Sequence, residues 1–493
     1  MNGELDLNIP LLATFVVYLI LMILVGLFAY RFTKSLADYI LGGRRLGSGT
    51  AALSAGASDM SGWLLLGLPG AVYASGMNQI WIAVGLAIGA YLNWQFIAER
   101  LRRYTEMARD SITIPAYFEN RFRDRTSALR VVSALVILLF FTFYTSAGLV
   151  AAGTLFEDTF GVDYTLALAV GASVILVYTL LGGFLAVSWT DFIQGILMFV
   201  ALILVPVITV MNLGGWSETA GAVAELEPGA LDAFYDVTLF SIISLMAWGL
   251  GYFGQPHVLT RFMAIRSPKD IPAARFIGIS WMVFALFGAI FTGFAGIAFF
   301  EGTGTLDNPE TVFLALIQAL FNPWVAGCLL AAVLAAIMST IDSQLLVSSS
   351  ALSEDFYKRF LRPRAGDREL VWVGRATVLV IGLFATLLAF DPDAAVLDLV
   401  AYAWAGFGAA FGPVIILSVF WRGTTRNGAL AGIVVGAVTV VVWDLLEGGL
   451  FDMYEILPGF ILGTLAILVF SRIGGGPGEE IEREFDRVRA RMD

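Results

Sequence analysis

The chain has 493 residues, of which 58% are hydrophobic and only 14% charged, and it carries a net charge of −11. Soluble domains hold roughly 25% charged residues, so this composition excludes a soluble globular protein and describes a chain that crosses a membrane many times. A single cysteine (Cys328) and a single histidine (His257) leave no material for an intramolecular disulfide, a cysteine-based metal centre or a multi-histidine site.

The first apolar stretch, Pro10 to Tyr30, is too long for the core of a signal peptide, and no small-residue cleavage site follows it. It reads as a retained membrane helix. At about 20 apolar residues per crossing, thirteen spans are expected, near 9–30, 47–76, 79–99, 128–156, 164–187, 190–213, 237–260, 275–300, 322–352, 370–390, 396–421, 428–446 and 454–472. Every Lys and Arg falls at 31–45, 100–130, 261–275, 358–375, 422–426 or 472–491, which are alternate connections plus the tail. The positive-inside rule then places the N-terminus outside and the C-terminus in the cytoplasm. In the longest inner connection, Thr113, Pro115 and Tyr117 to Phe122 predict a short interfacial helix. The tail, 476–493, reads as a solvated charged helix after a Gly/Pro linker, because mixed-sign charge runs mark exposed faces.

Three segments carry chemistry. In Leu53-Ser-Ala-Gly-Ala-Ser-Asp-Met-Ser-Gly-Trp63, Asp59 is an ionisable group at membrane depth, in a Gly- and Ser-rich stretch that weakens a regular helix. A buried charge beside a broken helix is the mark of a solute or ion site. Five spans later and oppositely oriented, Trp248-Gly-Leu-Gly-Tyr-Phe-Gly-Gln-Pro256 holds three glycines and a proline, which will not keep a straight helix. Such glycines alternatively serve only to let helices pack closely. The third segment, Ala335 to Gln344, carries the hydroxyls of Ser339, Thr340 and Ser343. Oxygen ligands of this kind suit a small hard cation, and the competing reading is that they bond back to their own helix. Asp191 follows Ser188-Trp-Thr, the pattern of a capping box. His257 reads as a hydrogen-bonded structural residue, and Asp342 as a group facing a hydrated inner vestibule.

The strings LSAGASDMSGWLLLGLPGAVY (53–73), GGFLAVSWTDFIQ (182–194), SLMAWGLGYFGQPHVLTRFMA (244–264), AAIMST (335–340) and AYAWAGFGAAFGP (401–413) resemble the sodium/solute symporter family. The runs SAGASDMSGW and WGLGYFGQPH are similar to its proline branch. The resemblance covers roughly residues 40–475. It implies an all-α polytopic membrane protein with a LeuT-type five-plus-five inverted repeat (47–213 and 237–421), an extra N-terminal helix (9–30) and two peripheral C-terminal helices (428–472). It also implies sodium (Na+) bound by the carbonyls of Ala57, Met60 and Ala336 and the hydroxyls of Ser339 and Thr340. Asp59 would tune that ion, and Asp191 would lie on its exit path. Ser61, Gly62, Trp63, Tyr144, Trp248, Tyr252 and Pro256 would bind L-proline. Asp342 departs from relatives that have an uncharged residue there.

The activity so implied is sodium-coupled import of L-proline across the cytoplasmic (inner) membrane by alternating access, with a monomer sufficient. In physical terms, the amides of Ser61 to Trp63 at a half-helix N-terminus would hold the carboxylate, and Trp248 and Tyr252, four apart on one face, would stack on the ring. Another small solute is the alternative within transport. A sensor is disfavoured by the short tail, an enzyme by the lack of a nucleophile/base pair or metal cluster, and no feature suits nucleic acid.

Overall fold

The computed structural model describes residues 8–32, 35–181, 183–391, 394–473 and 475–491. Among them no β-strand forms, and a single isolated bridge joins Leu46 to Ile265. The helices are α1 (Ile9–Tyr30), α2 (Ser48–Asp59), α3 (Trp63–Ser75), α4 (Met77–Met107), α5 (Ile114–Arg121), α6 (Ala128–Phe160), α7 (Tyr164–Leu181) and α8 (Phe184–Asn212). They continue with α9 (Leu239–Phe253), α10 (Pro256–Ala264), α11 (Pro268–Phe299), α12 (Pro309–Leu320), α13 (Pro323–Leu361), α14 (Asp367–Leu388), α15 (Val396–Phe420), α16 (Arg426–Asp444), α17 (Ile456–Ile473) and α18 (Glu479–Arg489). Two further short helices, Leu36–Leu41 and Trp216–Leu226, lie in the connections.

Ten of the described helices are long and apolar enough to cross a membrane. The expected count of thirteen is therefore not reached by length and composition alone. The other three expected spans hold broken or shorter helices: 47–76 divides into α2 and α3, 237–260 divides into α9 and α10, and 164–187 holds the 18-residue α7. Burial separates core from periphery. In α13 and α15, 83% of the most apolar window is buried, against 28% in α1 and α17. Large apolar side chains such as Val17, Phe28, Phe276, Phe287 and Phe384 stay exposed on the outer surface. A water-soluble protein does not expose a belt of this kind, whereas a protein embedded in lipid does.

One sequence expectation shifts by a helical turn. Helix α8 opens at Phe184, directly after Gly183, which is extended (φ −144°, ψ −179°). Ser188 and Asp191 therefore lie inside α8, and no capping box forms there. The reason is that an apolar run, Phe184 to Val187, precedes Ser188 and continues the helix, so no backbone N–H is left for Ser188 to cap.

The basic connections gather at one end of the bundle. Arg44 donates to the Met263 carbonyl (2.7 Å) and pairs with Asp110 (3.0 Å), and Arg102 donates to the Ile265 carbonyl (2.7 Å). The short helix expected after Thr113 forms as α5, and Thr113 caps it by accepting from the Ala116 amide at 3.1 Å, while its hydroxyl donates to Asp355 at 2.9 Å. Asp124 secures the turn after α5. Burial pushes its carboxyl up, but bonds from the Leu129 and Thr126 amides and the Thr126 hydroxyl, with Arg426 nearby, outweigh that and hold it below the usual carboxylate range.

The tail helix α18 corrects the solvated reading. Ile481, Glu484, Phe485 and Val488 are buried, because the apolar residues recur at helical spacing and form a stripe that docks. Arg123 pairs with Glu484 (2.5 Å) and Glu480 (3.2 Å), while Arg422 pairs with Glu482 (3.0 Å) and Asp486 (3.2 Å). Phe485 also covers the fully buried Arg121, whose guanidinium carbon lies 4.8 Å from the Tyr104 ring, 5.1 Å from Phe122 and 5.7 Å from Phe485. We expect Phe485→Ala to lower stability by about 3 kcal/mol, read as a lower thermal unfolding midpoint in detergent. An unchanged midpoint would show that the tail is not docked.

Candidate substrate and cation site

The first broken helix is built by its own sequence. The run from Ser48 is rich in Gly, Ser and Ala, and α2 stops where Met60 leaves helical geometry (φ −85°, ψ 71°). Helical backbone resumes at Gly62 (φ −51°, ψ −27°). Glycine is required there by contact, because a Cβ would lie 2.8 Å from the Ala151 methyl of α6. Two of the three amides expected to hold a carboxylate already have internal partners. The Ser61 amide donates to the Asp59 carbonyl (3.1 Å), and the Trp63 amide donates to Ser61 Oγ (3.4 Å).

The second break has a different form. Residues 247–253 wind as a 3₁₀ helix, Gln255 is extended (φ −72°, ψ 109°), and Pro256 opens α10. Pro256 suits that first position because its missing N–H is not needed there. The glycines serve close packing as well as the break. A Cβ on Gly251 would meet Trp404 Nε1 at 1.9 Å, and one on Gly249 would meet the Gly85 carbonyl at 2.2 Å. The 3₁₀ geometry also corrects a sequence expectation. With about three residues per turn, Trp248 and Tyr252 do not share a face. Trp248 stacks on Tyr454 (5.3 Å) and lies 6.0 Å from Trp63, whereas Tyr252 points to Asp59 and meets the edge of Trp404 at 5.1 Å.

Across the first gap lies α13. Ser339 Oγ is 2.8 Å from the Ala57 carbonyl and 3.1 Å from the Ala336 carbonyl, and Thr340 Oγ1 is 3.4 Å from the Ala57 carbonyl. Four of the five oxygen donors expected around a cation are thus gathered between α2 and α13, all at buried residues. Hydroxyls keep lone pairs after turning away from a carbonyl, so the same group can enclose a small hard cation. Ser339 bonds both to its own helix and across the gap, so both competing readings of these hydroxyls hold in part. Met60, the fifth expected donor, makes no hydrogen bond to this cluster.

Asp59 sits between the two breaks with 2% exposure. One carboxylate oxygen accepts a hydrogen bond from the Tyr252 hydroxyl. The Asp59 backbone carbonyl accepts from the Tyr144 hydroxyl and from Trp63 Nε1, both at 3.3 Å. The structure therefore brings Asp59, Trp63, Tyr144 and Tyr252 together as the sequence expected, with Trp248 one ring further out. Sequence reasoning missed two residues around them. Trp404 donates from Nε1 to the Trp248 carbonyl (2.7 Å), and Tyr454 anchors its hydroxyl on the Ala401 carbonyl (2.7 Å). Their only sequence signal is an aromatic side chain in an apolar context, which does not separate a site from ordinary packing.

Asp191 lies in a second buried cluster beside the first. Arg261 donates to Asp191 (3.1 Å), Ser54 Oγ (3.1 Å), Ser343 Oγ (2.5 Å) and the His257 carbonyl (3.0 Å), and Ser54 Oγ donates to Asp191 (2.6 Å). Four helices, α2, α8, α10 and α13, meet at this one guanidinium. Asp342 is fully buried, so its expected position in a hydrated vestibule is incorrect. Apart from the half-buried Tyr454 and its anchor Ala401, every residue named in the two clusters is at most 5% exposed, so this conformation is closed around them.

The profile of the sodium:solute symporter family matches residues 39–436. The chain is 54% identical over 489 residues to the sodium/proline symporter of Salmonella typhimurium (strain LT2), covering 98% of this chain and 97% of that one. It is 52% identical over 473 residues to the high-affinity proline transporter of Bacillus subtilis (strain 168), covering 96% and 100%. Among solved structures, a substrate-bound, outward-open Na+-coupled sialic acid symporter superimposes with a TM-score of 0.80 at 20% identity, covering 95% of this chain and 98% of that one. A nucleobase-cation-symport-1 family transporter gives 0.55 at 16% identity, covering 92% and 99%. These two likenesses establish the fold. Two broken helices around a buried carboxylate, a profile match over most of the chain and relatives spanning nearly all of it lead to one assignment: the protein is a multi-pass membrane transporter, not an enzyme, and belongs to the sodium:solute symporter family.

Proposed function

We propose that the protein is a sodium-coupled symporter that imports L-proline by alternating access. The observation that carries this reading is the reach of Ser339 and Thr340 across the gap to the Ala57 carbonyl at the end of a broken helix. Two relatives at more than 50% identity over nearly the full chain are named for proline, which supports the substrate. The five-plus-five division at 47–213 and 237–421 is part of the same proposal. So is an inner-membrane location with the N-terminus outside, supported by the basic connections meeting at one end of the bundle.

In this mechanism sodium enters between α2 and α13. The carbonyls of Ala57, Met60 and Ala336 and the hydroxyls of Ser339 and Thr340 surround it. The ion replaces hydrogen bonds that those hydroxyls otherwise make, so it fixes the first break against α13 and preforms the adjacent substrate site. Proline then lies against Ser61, Gly62 and Trp63 on one side and Tyr144, Trp248, Tyr252 and Pro256 on the other. Sodium favours the conformation it binds best, and only that differential affinity drives the coupling. Linkage requires proline to tighten sodium binding by the same factor. Release towards the inner side passes Asp191, after the Arg261 cluster separates.

The test is uptake of radiolabelled proline into proteoliposomes under an imposed inward sodium gradient. We expect accumulation that collapses when the gradient is dissipated. Equal uptake with and without sodium would overturn the proposal.

A further inference from the structure

The carboxylate of Asp59 is only half engaged. Its Oδ2 accepts from Tyr252, while Oδ1 is buried without a hydrogen-bond partner. The facing group is His257, which is fully buried and has no partner on either ring nitrogen. His257 Nε2 lies 4.0 Å from Asp59 Oδ1, too far for a direct bond. Arg261 does not neutralise Asp59, because its donors go to the His257 carbonyl, Ser54, Asp191 and Ser343. Buried polar groups of this kind are normally satisfied, so two facing unsatisfied atoms, Asp59 Oδ1 and His257 Nε2, call for a ligand. Two acceptors separated by 4.0 Å are both within hydrogen-bond reach of one nitrogen set off the line between them.

We propose that Asp59 Oδ1 and His257 Nε2 form a seat for the secondary ammonium of the transported solute, and that this two-acceptor seat selects imino acids over primary amino acids. The inference rests on the proline reading above and deepens it. Neutral imidazole with its proton on Nδ1 presents Nε2 as an acceptor. Phe141 and Tyr144 wall the imidazole, with ring centroids at 5.7 Å and 6.1 Å, and offer apolar surface to the ring methylenes. A secondary ammonium has two N–H groups and satisfies both acceptors. A primary ammonium brings a third N–H, which would be buried without an acceptor. Leaving one such group unpaired weakens binding by roughly tenfold to a hundredfold. The seat also places Asp59 between the two positive charges of the load, with sodium at the neighbouring Ala57 carbonyl and the ammonium at the side chain. Asp59 then couples the two directly.

Competition of radiolabelled proline uptake in proteoliposomes tests the seat. Cyclopentanecarboxylate keeps the ring and the carboxylate but has no amine. Against wild type we expect its inhibition constant to exceed the proline KM by at least about a hundredfold, as for sites built to bond a polar group that an analogue lacks. His257→Ala is expected to raise the proline KM by about tenfold while leaving the cyclopentanecarboxylate constant unchanged, and His257→Asn, which keeps an acceptor, to recover part of the loss. Equal potency of the two compounds on wild type would overturn the seat without any variant having to fold. So would a His257→Ala effect that weakens both compounds by the same factor. Absence of sodium-stimulated proline uptake in wild type would instead remove the transport proposal itself.

Discussion

Ser339→Ala should raise the sodium concentration for half-maximal proline uptake by on the order of tenfold to a hundredfold, the scale of one hydrogen-bond-like contact to a charged group. Ser339 is the better placed of the two hydroxyls, at 2.8 Å from the Ala57 carbonyl and 3.1 Å from Ala336, against 3.4 Å for Thr340. Thr340→Ala should therefore shift the sodium curve in the same direction by less. Each variant removes one proposed cation ligand and leaves the proposed carbonyl ligands in place, so maximal uptake at saturating sodium should fall less than apparent sodium affinity. Reciprocity adds a second readout. At fixed subsaturating sodium, the proline KM should rise in both variants, and saturating sodium should restore it. Sodium titrations that superimpose on wild type for both variants would place the cation elsewhere. A loss of maximal uptake without a shift in sodium affinity would show that these hydroxyls only pack α13 against α2.

The parts of this site that sequence made legible are those whose composition conflicts with a membrane helix. Gly, Ser and Asp around Asp59, and three glycines with Pro256, weaken or break a helix whatever surrounds them, and both breaks occur where they are expected. The hydroxyl pair on α13 was legible for the same reason. What stayed hidden depends on partners far apart in the chain. Arg261 reads as the start of a basic inner connection, yet it is fully buried and joined to Asp191, 70 residues away. Nothing local distinguishes the two cases. The faces of Trp248 and Tyr252 are hidden because the segment winds with about three residues per turn, a geometry its spacing does not announce. The tail is different. Ile481, Phe485 and Val488 already formed an apolar stripe in the sequence, and its many charges obscured it.

Removing the guanidinium at the Arg261 cluster should have the largest effect on stability. Arg261→Met leaves Asp191 and Asp342 buried, with Asp342 Oδ2 already lacking a hydrogen-bond partner. Breaking a buried ion pair by removing one partner costs about 3–5 kcal/mol, because an uncompensated charge remains. The variant should unfold at a markedly lower temperature in detergent, and its uptake should fall with it. Adding Asp191→Asn to Arg261→Met removes the carboxylate that the first change orphans and should recover part of the midpoint. A midpoint for Arg261→Met equal to wild type would mean that water already shields this cluster. Asp191→Asn alone separates stability from function. It keeps a hydrogen-bonding group beside Ser54 and Arg261 but weakens the contact that ties α8 to α10, so the closed inner side loses part of what holds it. A two-state transporter responds to such a change by shifting towards the conformation in which the contact is absent. If sodium binds best while the inner side is closed, that shift lowers apparent sodium affinity from outside even though Asp191 touches none of the proposed sodium ligands. An unaltered sodium titration in a well-folded Asp191→Asn protein would show that the Arg261 cluster stabilises the bundle without gating it.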